Sequence, residues 1–373
     1  MKLVSLVLND FRNDSRVLKM CKTLNKAGIP ATVAALHRPG LDERGTTEGV
    51  VYHRIKLKTY GLPGKLNFIK LIEMIFKMRK YYRDYDLWIA NDYEALVMYY
   101  VVKLLGGKSK LLYDSHELQS HRQGRSEWDG KMIRFFERLI LKKDTVVFNV
   151  SPGIIEYYKK HHKLENQRLV MNVSEPKAKV EREDIFRTRW NIPADSTLFI
   201  WQGNLALQRG LEQLIKAFEG LGTEKVLIIM GFGPLEKYVR DKAEVFDNIY
   251  FHEAVPHEQI IRYTSAADWG ITNIQNTCLN NYHALPNKLF EYIQSRLPVL
   301  CNDLADTANL VLSHEIGFTM KGDDIEDIRK VVSKAAAAEK TFYLEKANLA
   351  AEKLNWGAQE ELIVQSVNEA FNA

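Results

Sequence analysis

Short apolar runs rich in β-branched residues alternate with helix-length stretches along the first half of the chain. LVSLVL (3–8), ATVAALH (31–37), VVYHRIK (50–56), DLWIAND (86–92), KLLYDSHE (110–117) and TVVFNVS (145–151) predict strands. Between them, SRVLKMCKTLNKAG sets Val17, Leu18, Cys21 and Leu24 at helical spacing, and Gly28 stops that helix. The second half repeats the scheme with LFIWQG (198–203), KVLIIMG (225–231), NIYFHE (248–253), DWGITNI (268–274) and LPVLCND (297–303). NVSEPKAKVERED (172–184) is polar, carries Pro176 and has no periodicity, so it reads as a linker. Such alternation predicts parallel sheets covered by helices. The expected fold is α/β: two doubly wound domains facing one another across a central cleft, with ligands outside the carboxyl ends of the strands.

Length and composition agree with this picture. The 373 residues have room for two domains with their own cores, and 46% apolar content decides against disorder. No run of 18 apolar residues predicts a membrane span, and the opening apolar run, before Asn9 and Asp10, is too short for a signal sequence. Cys21, Cys278 and Cys301 lack metal-ligand spacing and read as small buried residues, so a cytoplasmic location is expected.

Charge changes the picture more. Residues 1–180 hold 33 Lys and Arg against 19 Asp and Glu, a net of +14, which the remainder brings down to the chain's +5. So basic a half expects an anionic partner or surface. The segment 56–83 carries eight Lys or Arg and one Glu, interleaved with Leu66, Phe68, Ile69, Ile72, Ile75, Phe76 and Met78. A helix of this kind turns its apolar stripe to a core, or lies on an anionic membrane face.

Candidate chemistry sits at strand ends. In WQGNLALQRGLEQLIKAF, Gly203 and Asn204 end a strand, and a helix opens near Arg209 and Gly210. The glycine admits a close backbone approach, and the arginine fork matches phosphate oxygens. In LIIMGFGPLEKYV, Gly231 and Gly233 follow a strand, but Glu236 replaces the third glycine of the dinucleotide fingerprint. In NYHALPNKLFEY, Pro286 fits the first helical position, Leu285, Leu289 and Ile293 form a buried stripe, and Lys288 and Glu291 share another face. A lysine at a helix N-terminus opposes the macrodipole, which makes sense where a phosphate completes the site. Glu291, one turn on, is placed to accept from ribose hydroxyls. An exposed Lys288–Glu291 ion pair is the plainer alternative.

The order GNLALQRG, MGFGP, ALPNKLFEYIQSRLPVL resembles the C-terminal domain of GT-B glycosyltransferases of the retaining family 4 type. NDSRVLKMCKTLNKAG is similar to that family's first loop and helix, and MNVSEP to its interdomain connection. The resemblance implies an acceptor-binding domain over 1–172, a nucleotide-sugar domain over 173–355, and a closing helix over 356–373 that returns to the first. It implies that Arg209 and Lys288 bind the donor diphosphate and Glu291 the ribose. Gly203, Gly231 and Gly233 would lie beside the nucleotide, and His116 of YDSHE would face the donor sugar. Glu117 is a further acceptor-side candidate. Many members have an arginine at the position of Asn204, and often a glutamate, contacting the sugar, at that of His283.

The implied reaction transfers a sugar from a nucleotide-diphosphate donor with retention, needing no cofactor and no metal, because fixed positive groups stabilise the leaving diphosphate. The expected acceptor is a cell-surface polysaccharide or lipid-linked glycan, and the basic segment 56–83 is the candidate contact with the inner face of a membrane. A non-catalytic sugar-nucleotide or polyanion binder on the same scaffold is the alternative, and donor turnover separates the two. The basic half lacks an RNA-binding aromatic motif, so no nucleic acid is expected. The broken glycine fingerprint disfavours a nicotinamide oxidoreductase.

Overall fold

The structure, a computed structural model, describes residues 1–63, 66–177 and 180–372. Gly64 and Lys65 of the basic segment, Ala178 and Lys179 of the linker, and the terminal Ala373 lie outside the described residues. The chain forms two compact units, 1–171 with 359–373, and 172–358.

The strands of unit 1 are β1 (Leu3–Leu6), β2 (Ala31–Leu36), β3 (Arg44–Thr47), β4 (Val50–Ile55), β5 (Leu87–Asn91), β6 (Lys110–Ser115), β7 (Val146–Asn149) and β8 (Gln167–Leu169). They lie in the order β3-β4-β2-β1-β5-β6-β7-β8. Every pairing is parallel except β3 with β4, a hairpin turned by Glu48 and Gly49 that closes one edge. The sequence reading missed β3 and β8, and in the second half it missed the strand Gly317–Met320. RGTT is short and lies at the sheet edge with exposed residues, so it has no apolar signal, and QRL is polar.

Helices α1 (Ser15–Lys26), α2 (Asn67–Tyr82), α3 (Asp92–Leu104), α4 (Glu127–Ile140) and α5 (Pro152–His162) connect these strands. Val17, Cys21 and Leu24 bury the inner face of α1, and Asp14 caps its first turn by accepting from the Val17 N–H. The apolar stripe of α2 divides. Ile75 and Met78 enter the core, whereas Phe68, Ile72 and Phe76 are 58%, 48% and 60% exposed. His161 is exposed, but the side chain of His162 is only 1% exposed. The last turn of α5 folds it among Tyr157, Tyr158 and Glu137.

In unit 2, β9 (Thr197–Asn204), β10 (Lys225–Phe232), β11 (Ile249–Glu253), β12 (Trp269–Thr272), β13 (Val299–Asn302) and β14 (Gly317–Met320) pair in parallel in the order β11-β10-β9-β12-β13-β14. Counted within the unit this is 3-2-1-4-5-6, whose direction reverses between β9 and β12. The helices are α6 (Ile185–Trp190), α7 (Leu211–Phe218), α8 (Glu236–Val245), α9 (Ile260–Thr264), α10 (Leu279–Tyr282), α11 (Asn287–Gln294), α12 (Ala305–Ser313), α13 (Ile325–Ala336) and α14 (Lys340–Lys353). Trp201, Leu211, Leu214, Phe218, Val332 and neighbours form one buried cluster on this sheet. The linker is anchored at its far end, where Arg182 joins Arg187 and Lys340 around the buried Asp268 carboxylate. The closing helix α15 (Glu360–Asn372) packs on α1, β6 and β7, within unit 1.

Candidate functional site

The topological reversal of unit 2 gathers most of the singled-out residues. Gly203 and Gly231 are register partners at the ends of β9 and β10. A methyl group on Gly231 would overlap the carbonyl oxygen of Gly203, so close strand packing fixes this glycine whatever ligand follows. Gly203 and Gly233 hold φ of +130° and +147°, backbone that residues with a Cβ rarely adopt. Asn204 is exposed at the end of β9, beside the turn at Gly233.

Gly210, in the left-handed conformation, caps the N-terminus of α7. Its carbonyl accepts from the side-chain amide of Asn273, which also donates to Gly322 O. Asn273, just past β12, thus ties the opening of α7 to the two neighbouring loops. Arg209 is exposed immediately before it and has no ion-pair partner among the described residues.

Pro286 occupies the N-cap of α11 with extended backbone, so the helix starts one residue later than read, at Asn287. Lys288 and Glu291 do not pair. The Lys288 ammonium lies 3.6 Å from the centroid of the Trp201 ring, and its end would touch any side chain added at Gly203. Its pKa is lowered to about 7, chiefly by burial and also by the Arg209 charge, while Glu291 opposes them. Glu291 faces elsewhere, accepting at Oε2 from the Gln202 amide at 2.6 Å. Two cations without carboxylate partners therefore stand beside a glycine-lined strand end, with a carboxylate one turn on. That arrangement suits an anion carrying a diol.

His283, at the end of α10, sets Nδ1 3.1 Å from Asp306 Oδ2 on α12. Nothing in the sequence between them signals this pair, which forms because two successive loops end side by side.

His116 and Glu117 belong to unit 1. The His116 ring is held between carboxylates, Nε2 3.0 Å from Asp114 and Nδ1 3.5 Å from Asp92. Burial alone would lower its pKa, but the two carboxylates outweigh it and raise the value to about 9. At neutral pH His116 is therefore an imidazolium, a donor and not a base. Asp114, fully buried, also takes both forks of Arg16, at 2.6 and 2.9 Å. Asp92 adopts φ of +65° at the start of α3, where its carboxylate accepts from the His116 N–H. Glu117 pairs with Arg122 at 3.0 Å. The triplet Asp84-Tyr85-Asp86, a spacing that can hold a divalent metal, lies at the turn before β5. There Asp84 pairs with Arg83, and Asp86 accepts from the Lys2 N–H.

A raised histidine pKa stabilises the fold wherever the folded state binds the extra proton. The contribution of His116 is full below its unfolded value near 6.5, and is lost as pH rises through about 9. Urea midpoints of wild type and His116→Gln are expected to converge between those two pH values and to differ most at pH 6.

Comparison with known proteins bears on this geometry. Residues 182–350 match the family model described as glycosyl transferases group 1, and residues 14–172 match the glycosyl transferase 4-like domain. A Bacillus subtilis protein described as a teichuronic acid biosynthesis glycosyltransferase, TuaC, is 25% identical over 174 residues. The match spans 46% of this chain and 42% of that protein. Sucrose-phosphate synthase from Thermosynechococcus elongatus superposes with a TM-score of 0.80 at 17% identity, over 100% of both chains. HepE from Anabaena, solved with UDP-glucose, gives 0.78 at 14% identity over 99% of each. Two parallel-sheet Rossmann-like units and family models matching both halves lead to one conclusion: the chain belongs to the GT-B glycosyltransferases, of the group 1 type.

Proposed function

We propose that the protein transfers a glycosyl group from a nucleotide-diphosphate sugar to an acceptor, with retention of anomeric configuration and without a divalent metal. The observation that carries this reading is the pair of cations without carboxylate partners among the described residues, Arg209 and Lys288, at the reversal of the unit 2 sheet, with Glu291 one turn further. In the reaction the bond between the sugar C1 and the leaving phosphate oxygen breaks, and the acceptor oxygen bonds to C1 on the same face. The acceptor's proton passes to the departing phosphate. Arg209, Lys288 and the N-terminus of α7 act where negative charge grows. Gly203 and Gly233 give the backbone room beside the nucleotide. His283, oriented by Asp306, is a candidate sugar contact, and His116, an imidazolium, a candidate donor to the sugar or leaving phosphate.

UDP is the first nucleotide to try, because the HepE neighbours are complexes with UDP and UDP-glucose. The name of TuaC supports a cell-surface polysaccharide or lipid-linked glycan as acceptor. Thermal-shift measurements with UDP, GDP and ADP test the donor site. Selective stabilisation by one of them, lost in Lys288→Ala and Glu291→Ala, is the expected result. If it occurs but the corresponding sugar nucleotides are neither hydrolysed nor transferred, the non-catalytic binder on this scaffold replaces the enzyme.

No described helix is long and apolar enough to cross a membrane. The outer face of α2 supports attachment from one side, at the inner leaflet. Phe68, Leu71, Ile72 and Phe76 are exposed there, and Lys70, Arg79 and Lys80 lie on the same helix. The protein is expected to sediment with vesicles containing phosphatidylglycerol but not with phosphatidylcholine alone, and Phe68→Ser/Phe76→Ser is expected to remove most of that binding.

A further inference from the structure

The end of β9 serves the site with side chains as well as with its glycine. Trp201 lies under Lys288, and the next residue, Gln202, reaches Glu291. Gln202 is buried, and its amide is occupied on both sides. Nε2 donates to Glu291 Oε2 at 2.6 Å, and Oε1 accepts from the Thr264 hydroxyl at 2.6 Å. The chemistry of the partners fixes this orientation. A carboxylate only accepts, so the NH2 group must face Glu291, the oxygen must face Thr264, and the threonine must donate. The backbone locks the same point, because the Gln202 N–H donates to the Tyr292 hydroxyl, which donates to Ile271 O. Tyr292 neighbours Glu291 in sequence and is fully buried against Gly270. The turn of α11 that carries Glu291 is thus fixed to the ends of β9 and β12 before any ligand arrives.

This leaves Glu291 Oε1 free of partners among the described residues, with Oε2 held by Gln202. A carboxylate can accept from about four directions, and Gln202 uses one. The remaining directions suit two neighbouring hydroxyls, and a carboxylate already anchored at one oxygen pays less ordering entropy to meet them. We propose that Gln202, itself held by Thr264, is a positioning residue that orients Glu291 toward the cis-diol of the donor nucleotide, making the site selective for ribose over 2′-deoxyribose. The inference rests on the nucleotide-sugar reading above and adds the residues that set its sugar-ring selectivity.

Calorimetric titration with UDP and 2′-deoxy-UDP tests it, or with the 2′-deoxy form of GDP or ADP if that nucleotide stabilises the wild type. Wild type is expected to prefer UDP by about 10-fold or more, as for a hydrogen bond to a charged group. Gln202→Leu removes the amide, and Thr264→Val removes only its anchor while keeping the shape of the side chain. Both are expected to narrow the preference to about 2- to 3-fold by weakening UDP and leaving 2′-deoxy-UDP unchanged. Lys288→Ala, by contrast, should weaken both ligands alike. A merely structural role for Gln202 would also weaken both alike, and that result overturns the proposal, as does an undiminished preference in both variants. Lys288-dependent nucleotide binding with either of those results leaves the donor site standing and removes only the role of Gln202. A folded wild type that binds no nucleotide overturns both. Circular dichroism of each variant establishes that the comparison is made on folded protein.

Discussion

Lys288→Ala is expected to lower the transfer rate by about 10²- to 10³-fold, the range seen when one group stabilising a developing charge is removed. Its amine rests on Trp201 without a carboxylate partner and with Arg209 near enough to repel it, so the free site stores unfavourable positive potential. A diphosphate relieves that potential, and alanine has none to relieve. The same geometry makes binding depend on pH. With a pKa lowered to about 7, the free lysine loses its charge as pH rises through neutrality, and a bound diphosphate pulls the proton back. Nucleotide affinity should therefore be flat below pH 6, then fall by up to about 10-fold per pH unit above 7 until the bound pKa is reached. Titration at pH 8 in buffers of different ionisation enthalpy should show net proton uptake, absent in Lys288→Ala. A pH-independent affinity with no proton uptake would mean that the lysine stays charged in the free protein. The sign for folding is the reverse of that for His116. A lysine with a lowered folded pKa disfavours the fold while it is charged in both states, and the cost is relieved as pH rises from about 7 toward 10.5.

The second large effect concerns unit 1. Arg16→Leu is expected to destabilise the protein by about 3–5 kcal/mol, because it leaves the Asp114 carboxylate buried without its main counter-charge. The side chains of Arg16 and Asp114 are 3% and 0% exposed, and Arg16 also donates to Val170 O at 2.8 Å. Three separate segments of the unit meet there. Burial raises the pKa of Asp114, but Arg16 and His116 overcome that and hold it well below the usual carboxylate range. The double variant Arg16→Leu/Asp114→Asn should lose less than Arg16→Leu alone, since no charge is then stranded. Urea unfolding of the four proteins measures the cycle. A loss below about 1 kcal/mol for Arg16→Leu would mean that water reaches Asp114 and the pair behaves as a surface one.

Much of this architecture could be read from the chain. The principal strands were visible because strands covered on both faces need continuous apolar runs, as in LFIWQG and KVLIIMG, and these run into glycine where the backbone must approach something closely. Strands without such a run, RGTT at an edge and QRL in unit 1, gave no signal. The candidate site residues of unit 2 stood out in the sequence for a related reason. A lysine in the first turn of α11 violates the local rule of the helix dipole, and such a violation marks a candidate ligand site. Gln202 left only a faint trace, one polar residue closing an apolar run, and its partner Thr264 left none.

The sequence by itself determined the two α/β units, the loops that carry Gly203, Arg209 and Lys288, and the family, since all follow from periodicity and short motifs that are local in the chain. Only the tertiary structure decided that Lys288 lies on Trp201 instead of pairing with Glu291, and that Gln202 takes Glu291. It alone decided that Asp92 and Asp114 keep His116 protonated and that Asp306 orients His283. The physical reason is common to all four. Hydrogen bonds and ion pairs act over a few ångströms, and the residues concerned come within that range only after parallel strands, each separated by a helix in the chain, have been laid side by side.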